Sequence, residues 1–224
     1  ARAQVQVGRG RGLDLGEGLA RLGHEVAIGI RAVTDETLDR PRNQARTLRA
    51  WRDATGARVV PLAEAAAGAE VVVNATNGAG SLAALHGAGE AALADKPLID
   101  VANPLDFTLG MPPFLLREHT GPTSLGEAIQ AEFPRARVAK AFNTVTAAVM
   151  VAPSLVPGEH DLFLCGEEGA KTVARELAAG FGWRRFVDLG DIAGARAQEA
   201  LVLVWVRLWM TQGTPMLGFR IAGT

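Results

Sequence analysis

The chain has 224 residues, 48% of them hydrophobic and 21% charged, with a formal net charge of −1. That length and balance specify a globular chain with a sizeable core and exclude wholesale disorder. A near-neutral chain offers no overall basic field for nucleic acid or an acidic membrane surface, and a single cysteine excludes an intrachain disulfide and a cysteine-cluster metal site. Residues 4–7 read as a short strand ending in glycines, and Leu15, Leu19 and Leu22 recur on one helix face until Gly23 stops it. Residues 25–30 form a second strand, 32–43 a polar loop and 44–55 a helix carrying Leu48 and Trp51. A third strand spans 58–61, followed by an Ala-rich helix over 62–68. Residues 70–74 make a fourth strand whose three consecutive valines suit burial on both faces. Residues 80–94 are helical and 97–101 form a fifth strand. This β-α-β-α rhythm with short links predicts an α/β fold, a doubly wound parallel sheet covered by helices.

The second half begins with a long loop over 103–122, which holds Pro104, Pro112, Pro113 and Pro122. A helix over 125–133 is capped by Thr123 and Ser124. Strands follow at 137–142 and 161–165, then a helix over 168–181, a strand over 185–189 and a final helix over about 193–211. That last helix is apolar on more than one face, and a homodimer contact through it is expected. Its most apolar run, 201–206, is far short of the roughly 20 residues that cross a bilayer. Residues 1–7 are too short and polar for a signal peptide, so no membrane association and a cytoplasmic location are the expectation.

The strongest local pattern is Gly8-Arg9-Gly10-Arg11-Gly12, set between a strand and a helix. Glycines there let the backbone turn tightly and approach a pyrophosphate, while the helix N-terminus supplies free N–H groups. Position 13, where a third glycine is expected, is Leu13, which would crowd the helix–strand contact, and a plain glycine-rich turn is the competing reading. The second strand ends in Ile30-Arg31 instead of the acidic residue that accepts from the ribose hydroxyls in NAD sites. Arg31 suits a 2′-phosphate and so NADP, although Asp35 and Glu36 stand near enough in sequence to pair with it. Arg40, Arg42 and Arg46 could add to a phosphate-attracting surface but read rather as a solvated charged loop. Asn74-Ala75-Thr76, Ala102-Asn103-Pro104 and Asn143-Thr144 end three later strands, where open α/β sheets bind ligands, with Asn143 and Thr144 on the substrate side. For any one of these asparagines, loop capping is an equal alternative. His119, in the long loop, could be a proton donor but reads rather as a solvated histidine, and Cys165 reads as a buried, inert thiol. No metal site is expected, and with no tyrosine a phenolic acid is excluded.

Several segments, in order, resemble the NADP oxidoreductases of the coenzyme F420-dependent type. They are Gly18-Leu-Ala-Arg-Leu-Gly-His-Glu-Val26 with Ile28-Gly-Ile-Arg31, Val71-Val-Val-Asn-Ala-Thr76, Ile99-Asp-Val-Ala-Asn-Pro-Leu105, Val138-Ala-Lys-Ala-Phe-Asn-Thr144, and Val206-Arg-Leu-Trp209 followed by Gly218-Phe-Arg220. The resemblance implies a Rossmann-type NADP-binding domain over 1–145 and a small C-terminal α/β part with the final helix over 146–224. It implies NADP(H) as cofactor, with Gly8 to Gly12 at the pyrophosphate and Arg31 at the 2′-phosphate. Asn74 to Thr76 and Ala102 to Pro104 would border the nicotinamide. It also implies hydride transfer to a second redox cofactor or small organic acceptor, with coenzyme F420, a deazaflavin, as the family's acceptor. Ile30 departs from the family's Ser or Thr and forgoes one phosphate hydrogen bond. Two alternatives stand beside this reading: a dinucleotide-binding module with little turnover because of the altered glycine loop, and a reductase of an imine or ketone.

Overall fold

The strands lie side by side in one eight-stranded sheet in a computed structural model that describes residues 3–7, 11–41 and 46–223. They are β1 (Ala3–Val7), β2 (Ala27–Ile30), β3 (Arg58–Pro61), β4 (Val71–Ala75), β5 (Pro97–Asp100), β8 (Arg137–Ala141), β9 (Leu162–Gly166) and β10 (Phe186–Asp188). A separate two-residue ribbon pairs β6 (Leu105–Asp106) with β7 (Phe114–Leu115). In space the large sheet runs β3-β2-β1-β4-β5-β8-β9-β10. The first six are mutually parallel, and their order reverses at β1, which lies between β2 and β4. A crevice outside the carboxyl ends of the strands forms at such a reversal.

Helices cover both faces. They are α1 (Arg11–Arg21), α2 (Asp35–Asp39), α3 (Leu48–Thr55), α4 (Leu62–Gly68), α5 (Ser81–Ala88), α6 (Glu90–Leu93), α7 (Leu125–Glu132), α8 (Ala147–Val151), α9 (Glu168–Phe181) and α10 (Ala195–Gln212). The valines of β4 show why the sheet needs two covers. Val71 and Val73 join the cluster made with α1, α3, α8 and α9, while Val72 joins the cluster made with α4, α5, α6 and α7. Alternate strand side chains point to opposite faces, so a continuous apolar run is buried only if both faces are covered.

Four features differ from the sequence reading. The sheet is mixed at one edge, because β9 pairs antiparallel with β8, and β10 pairs parallel with β9. The connection from β8 carries the five-residue α8 and a single 3-10 turn over Pro153–Leu155, and the chain re-enters the sheet from the end it left. The polar segment expected as a loop contains α2, whose Thr34 and Thr37 cap each other's backbone. The helix expected over 80–94 is split at Gly89, which takes φ 92° and donates its N–H to Leu85 and His86. Finally, the proline-rich loop contains the β6–β7 ribbon, whose two-residue strands are too short for periodicity to reveal. Beyond residue 145 the chain adds β9 and β10 to the same sheet and ends in α10, which packs on α7 and β9. Among the described residues no helix is long and apolar enough to cross a membrane.

Candidate functional site

The carboxyl ends of β4 and β5 bound a cleft of about 250 Å³, lined by Ala75, Thr76, Asn77, Ala79, Asn103, Leu105 and Phe107. Its floor is held by hydrogen bonds that leave little freedom. Asn74 is fully buried, and its Nδ2 donates to Asp100 Oδ1 at 2.8 Å and Ser81 Oγ at 3.1 Å. Its Oδ1 accepts from the Thr76 hydroxyl at 2.7 Å. The end of β4 is thereby tied to β5 and to the first residue of α5. Gly78 brings the next turn against the neighbouring segment, donating its N–H to the Asn103 carbonyl at 3.1 Å. A Cβ on Gly78 would stand 2.4 Å from both that carbonyl oxygen and the Pro104 Cα, so only glycine permits the approach.

A second set of buried amides continues toward β8. Asn103 and Asn143 exchange two bonds: Asn143 Nδ2 donates to Asn103 Oδ1 at 2.9 Å, and Asn103 Nδ2 donates to the Asn143 carbonyl at 2.8 Å. Asn143 also accepts from Gln198 Nε2 of α10 at 2.7 Å and donates to the Gln198 carbonyl at 3.0 Å. The chain reaches this position through Phe142, a non-glycine residue at φ 62°. Such a conformation costs on the order of 1–3 kcal/mol and persists only where its surroundings fix it. Thr144 follows, also buried.

Below the amides lie three buried charges that sequence reasoning did not single out. Lys140 Nζ donates to Asp100 Oδ2 at 2.5 Å and to the Ala102 carbonyl at 2.9 Å, and lies 2.9 Å from Glu199 Oε1. Glu199 comes from α10 and accepts the N–H groups of Leu125 and Gly126, the first two residues of α7, each at 3.0 Å. A carboxylate suits the free donors and positive end of a helix. Burial pushes the Asp100 carboxyl above its ordinary range, with Lys140 opposing it. Burial also works against the Lys140 charge, but Asp100 and Glu199 more than offset it and hold that ammonium above the usual lysine value. In sequence, the only signals were a lysine inside a strand and a glutamate inside an apolar helix.

The other end of the crevice is set by β2. Ile30 is buried and Arg31, the next residue, is exposed. Asp35 is engaged by Arg49 and Glu36 by Arg40, so neither carboxylate takes Arg31. Gly8, Arg9 and Gly10, and Arg42 of the basic loop, lie outside the described residues. Arg11 and Gly12 open α1. Leu13, expected to crowd the helix–strand contact, is instead accommodated in the core, and its carbonyl accepts from the Trp51 indole at 3.2 Å. Arg46, expected to be solvated, is half-buried and paired with Asp14 at 3.0 Å and Glu17 at 2.7 Å of α1.

The structure thus brings Ala75, Thr76 and Asn103 to the cleft wall and places Asn74, Ala102, Asn143 and Thr144 in the buried layer behind it. Pro104 is buried against Gly78, and Arg31 stands apart at the end of β2. His119 is half-buried and does not line the cleft. Cys165 is buried, and burial pushes its thiol up to about 12. Among the described residues no cluster suits a metal ion.

A sheet reversing at β1, a cleft at the adjoining strand ends and, after β2, an arginine without a partner among the described residues define a dinucleotide-binding protein of the Rossmann class. A solved structure of a candidate F420-dependent NADP reductase from Arthrobacter sp. FB24 is similar at 42% identity, covers 99% of both chains and superposes with a TM-score of 0.92. The chain belongs to that family, the NADP-dependent oxidoreductases of the coenzyme F420-dependent type. It is also 31% identical to the metalloreductase STEAP3 of Rattus norvegicus over 131 residues, 58% of this chain and 24% of that protein, so the match spans about a quarter of that relative. A reductive aminase from Aspergillus terreus, solved with NADPH and ethyl levulinate, shares the fold at 16% identity, with a TM-score of 0.62 over 95% of this chain and 62% of that one. No protein-family model matches the chain.

Proposed function

We propose that this chain binds NADP(H) across the crevice and transfers a hydride between the nicotinamide and a second ring, the deazaflavin of coenzyme F420. The residues present fit the cofactor. Arg31 is exposed and unpaired among the described residues, which suits a 2′-phosphate, and α1 starts at the place where a pyrophosphate is received in this fold. Bound NADPH supplies a hydride, and the acceptor takes it with one proton drawn from water.

The observation that carries this reading is the described cleft lining. It combines apolar Ala75, Ala79, Leu105 and Phe107 with the uncharged Thr76, Asn77 and Asn103, and has no titratable side chain. A cleft of that kind can orient two rings, and its described lining supplies no acid to protonate an imine or ketone. Hydride transfer between rings depends on positioning more than on acid–base groups. That favours the deazaflavin over the carbonyl and imine acceptors. Asn74 and Asp100 hold the wall from behind, and the Asn103–Asn143–Gln198 bonds fix the far side.

Calorimetric titration with NADP⁺, and NAD⁺ as control, tests the cofactor. NADP⁺ should bind more tightly, and Arg31→Ala should weaken NADP⁺ by roughly 10- to 100-fold, as loss of a charged hydrogen bond to phosphate would, while leaving NAD⁺ nearly unchanged. Purified protein with NADPH should then bleach the visible absorbance of F420 and leave a panel of imines and ketones untouched. Binding of neither dinucleotide would overturn the reading of the cofactor, and turnover of a ketone or imine alone would overturn that of the acceptor.

A further inference from the structure

The helix beyond Arg31 is acidic. Asp35, Glu36 and Asp39 all lie on α2, and α2 is pinned to the turn that Arg31 opens: the Thr37 hydroxyl donates to the Ala32 carbonyl at 2.7 Å. That bond ties the start of α2 to the chain just after β2. NAD-binding sites place a carboxylate at the end of this strand to accept from the ribose hydroxyls, and negative charge near that position repels a 2′-phosphate. Three carboxylates therefore follow Arg31 within eight residues, and their charge opposes a 2′-phosphate held there.

Arg49 resolves the conflict. It is the second residue of α3, a helix capped by Thr47 and anchored by buried Leu48 and Trp51 on either side of it. Its guanidinium grips Asp39 with two bonds, Nε to Oδ1 at 2.6 Å and Nη2 to Oδ2 at 3.0 Å, and reaches Asp35 Oδ1 at 2.5 Å. Glu36 is engaged separately by Arg40 at 2.7 Å. The two-bond fork is the arrangement in which an arginine holds a carboxylate most firmly.

We propose that Arg49 is a specificity residue: by holding Asp35 and Asp39 it withdraws the acidic face of α2 from the cofactor's ribose and leaves Arg31 as the charge that reads the 2′-phosphate. This rests on the NADP reading above. Arg49 acts through the two aspartates, so it is a positioning group, and its signature is a change in preference between cofactors.

The test is titration of purified variants with NADP⁺ and with NAD⁺ at low and high salt. Arg49→Gln should raise the NADP⁺ Kd about 3- to 10-fold and leave the NAD⁺ Kd unchanged or lower, with the effect shrinking as salt screens the freed carboxylates. Adding Asp35→Asn and Asp39→Asn to Arg49→Gln should restore the original preference. The pair Asp35→Asn and Asp39→Asn with Arg49 intact frees a positive charge on an exposed surface. It should tighten NADP⁺ and not NAD⁺, and it keeps the test usable if Arg49→Gln fails to fold. An unchanged ratio in Arg49→Gln, or no restoration in the triple variant, overturns the role of Arg49 while NADP⁺ binding to the unaltered protein still stands. If the unaltered protein does not prefer NADP⁺, or Arg31→Ala leaves NADP⁺ binding unchanged, the cofactor reading fails and this inference fails with it.

Discussion

Lys140 shows how much of the site is carried by one side chain. It is fully buried between Asp100 and Glu199, and it joins β8, β5 and α10 beneath the cleft. Two carboxylates and one ammonium remain tolerable in the interior because the other lone pairs are used. Asp100 accepts from Asn74 and the Ala102 N–H, and Glu199 accepts from the start of α7. Removing one partner of such a set leaves uncompensated buried charge, which costs about 3–5 kcal/mol. Lys140→Met should therefore lose stability on that scale in urea unfolding, and a loss below about 1 kcal/mol would mean that the buried charges do not hold the three elements together. None of this is legible in the sequence. The lysine and its aspartate are 40 residues apart, the glutamate and the N–H it caps are 74 apart, and a charged residue is ordinarily taken for a surface group. The placement of Arg31 just past the end of β2 was legible, because a strand end can be read from the residues of one strand. That Asp35 is diverted to Arg49 was not, because α3 approaches α2 only in the folded chain.

Elements decide where the cleft opens. The turn after β4 and the segment after β5 approach until Gly78 touches the Asn103–Pro104 backbone, which fixes the distance between two walls of the site. Gly78→Ala forces backbone atoms apart, because nothing flexible stands in the way of the new methyl. Overpacking of this kind costs about 1–3 kcal/mol. Unlike a loss elsewhere in the core, it should also weaken NADP⁺ binding, since Thr76, Asn77 and Asn103 move with it. Thermal unfolding together with NADP⁺ titration checks both, and undiminished binding in the variant would mean that this approach does not shape the site. The strands bearing these turns were legible because Val71 to Val73 is an apolar run bounded by Glu70 and Asn74, and Leu98-Ile99 is one bounded by Pro97 and Asp100. The β6–β7 ribbon and α8, two and five residues long, fall below the length at which a period can be recognised.

At the scale of the molecule, α10 is two-sided. Ala195, Gln198, Glu199, Val202, Trp205 and Val206 face inward at helical spacing, which accounts for part of its apolar character. Val204 is exposed on its outer side, Trp209 and Met210 are exposed where the inward-facing stripe runs on past the core, and the β6–β7 hairpin, whose β7 contacts α10, exposes Phe107, Leu109 at 81%, Met111 and Phe114. Exposed apolar groups gathered on adjoining elements mark an interaction surface. We propose that a second copy of the chain covers this face, as a two-fold contact lets one patch meet its own image. Phe107 belongs both to that face and to the cleft lining, so the contact would also close the mouth of the cleft. Sedimentation should then show a dimer, and Leu109→Asp combined with Trp209→Glu should give a folded monomer that still binds NADP⁺ but transfers hydride more slowly. A monomer at micromolar concentration in the unaltered protein would remove this face from the reaction and leave the cleft to work within one chain.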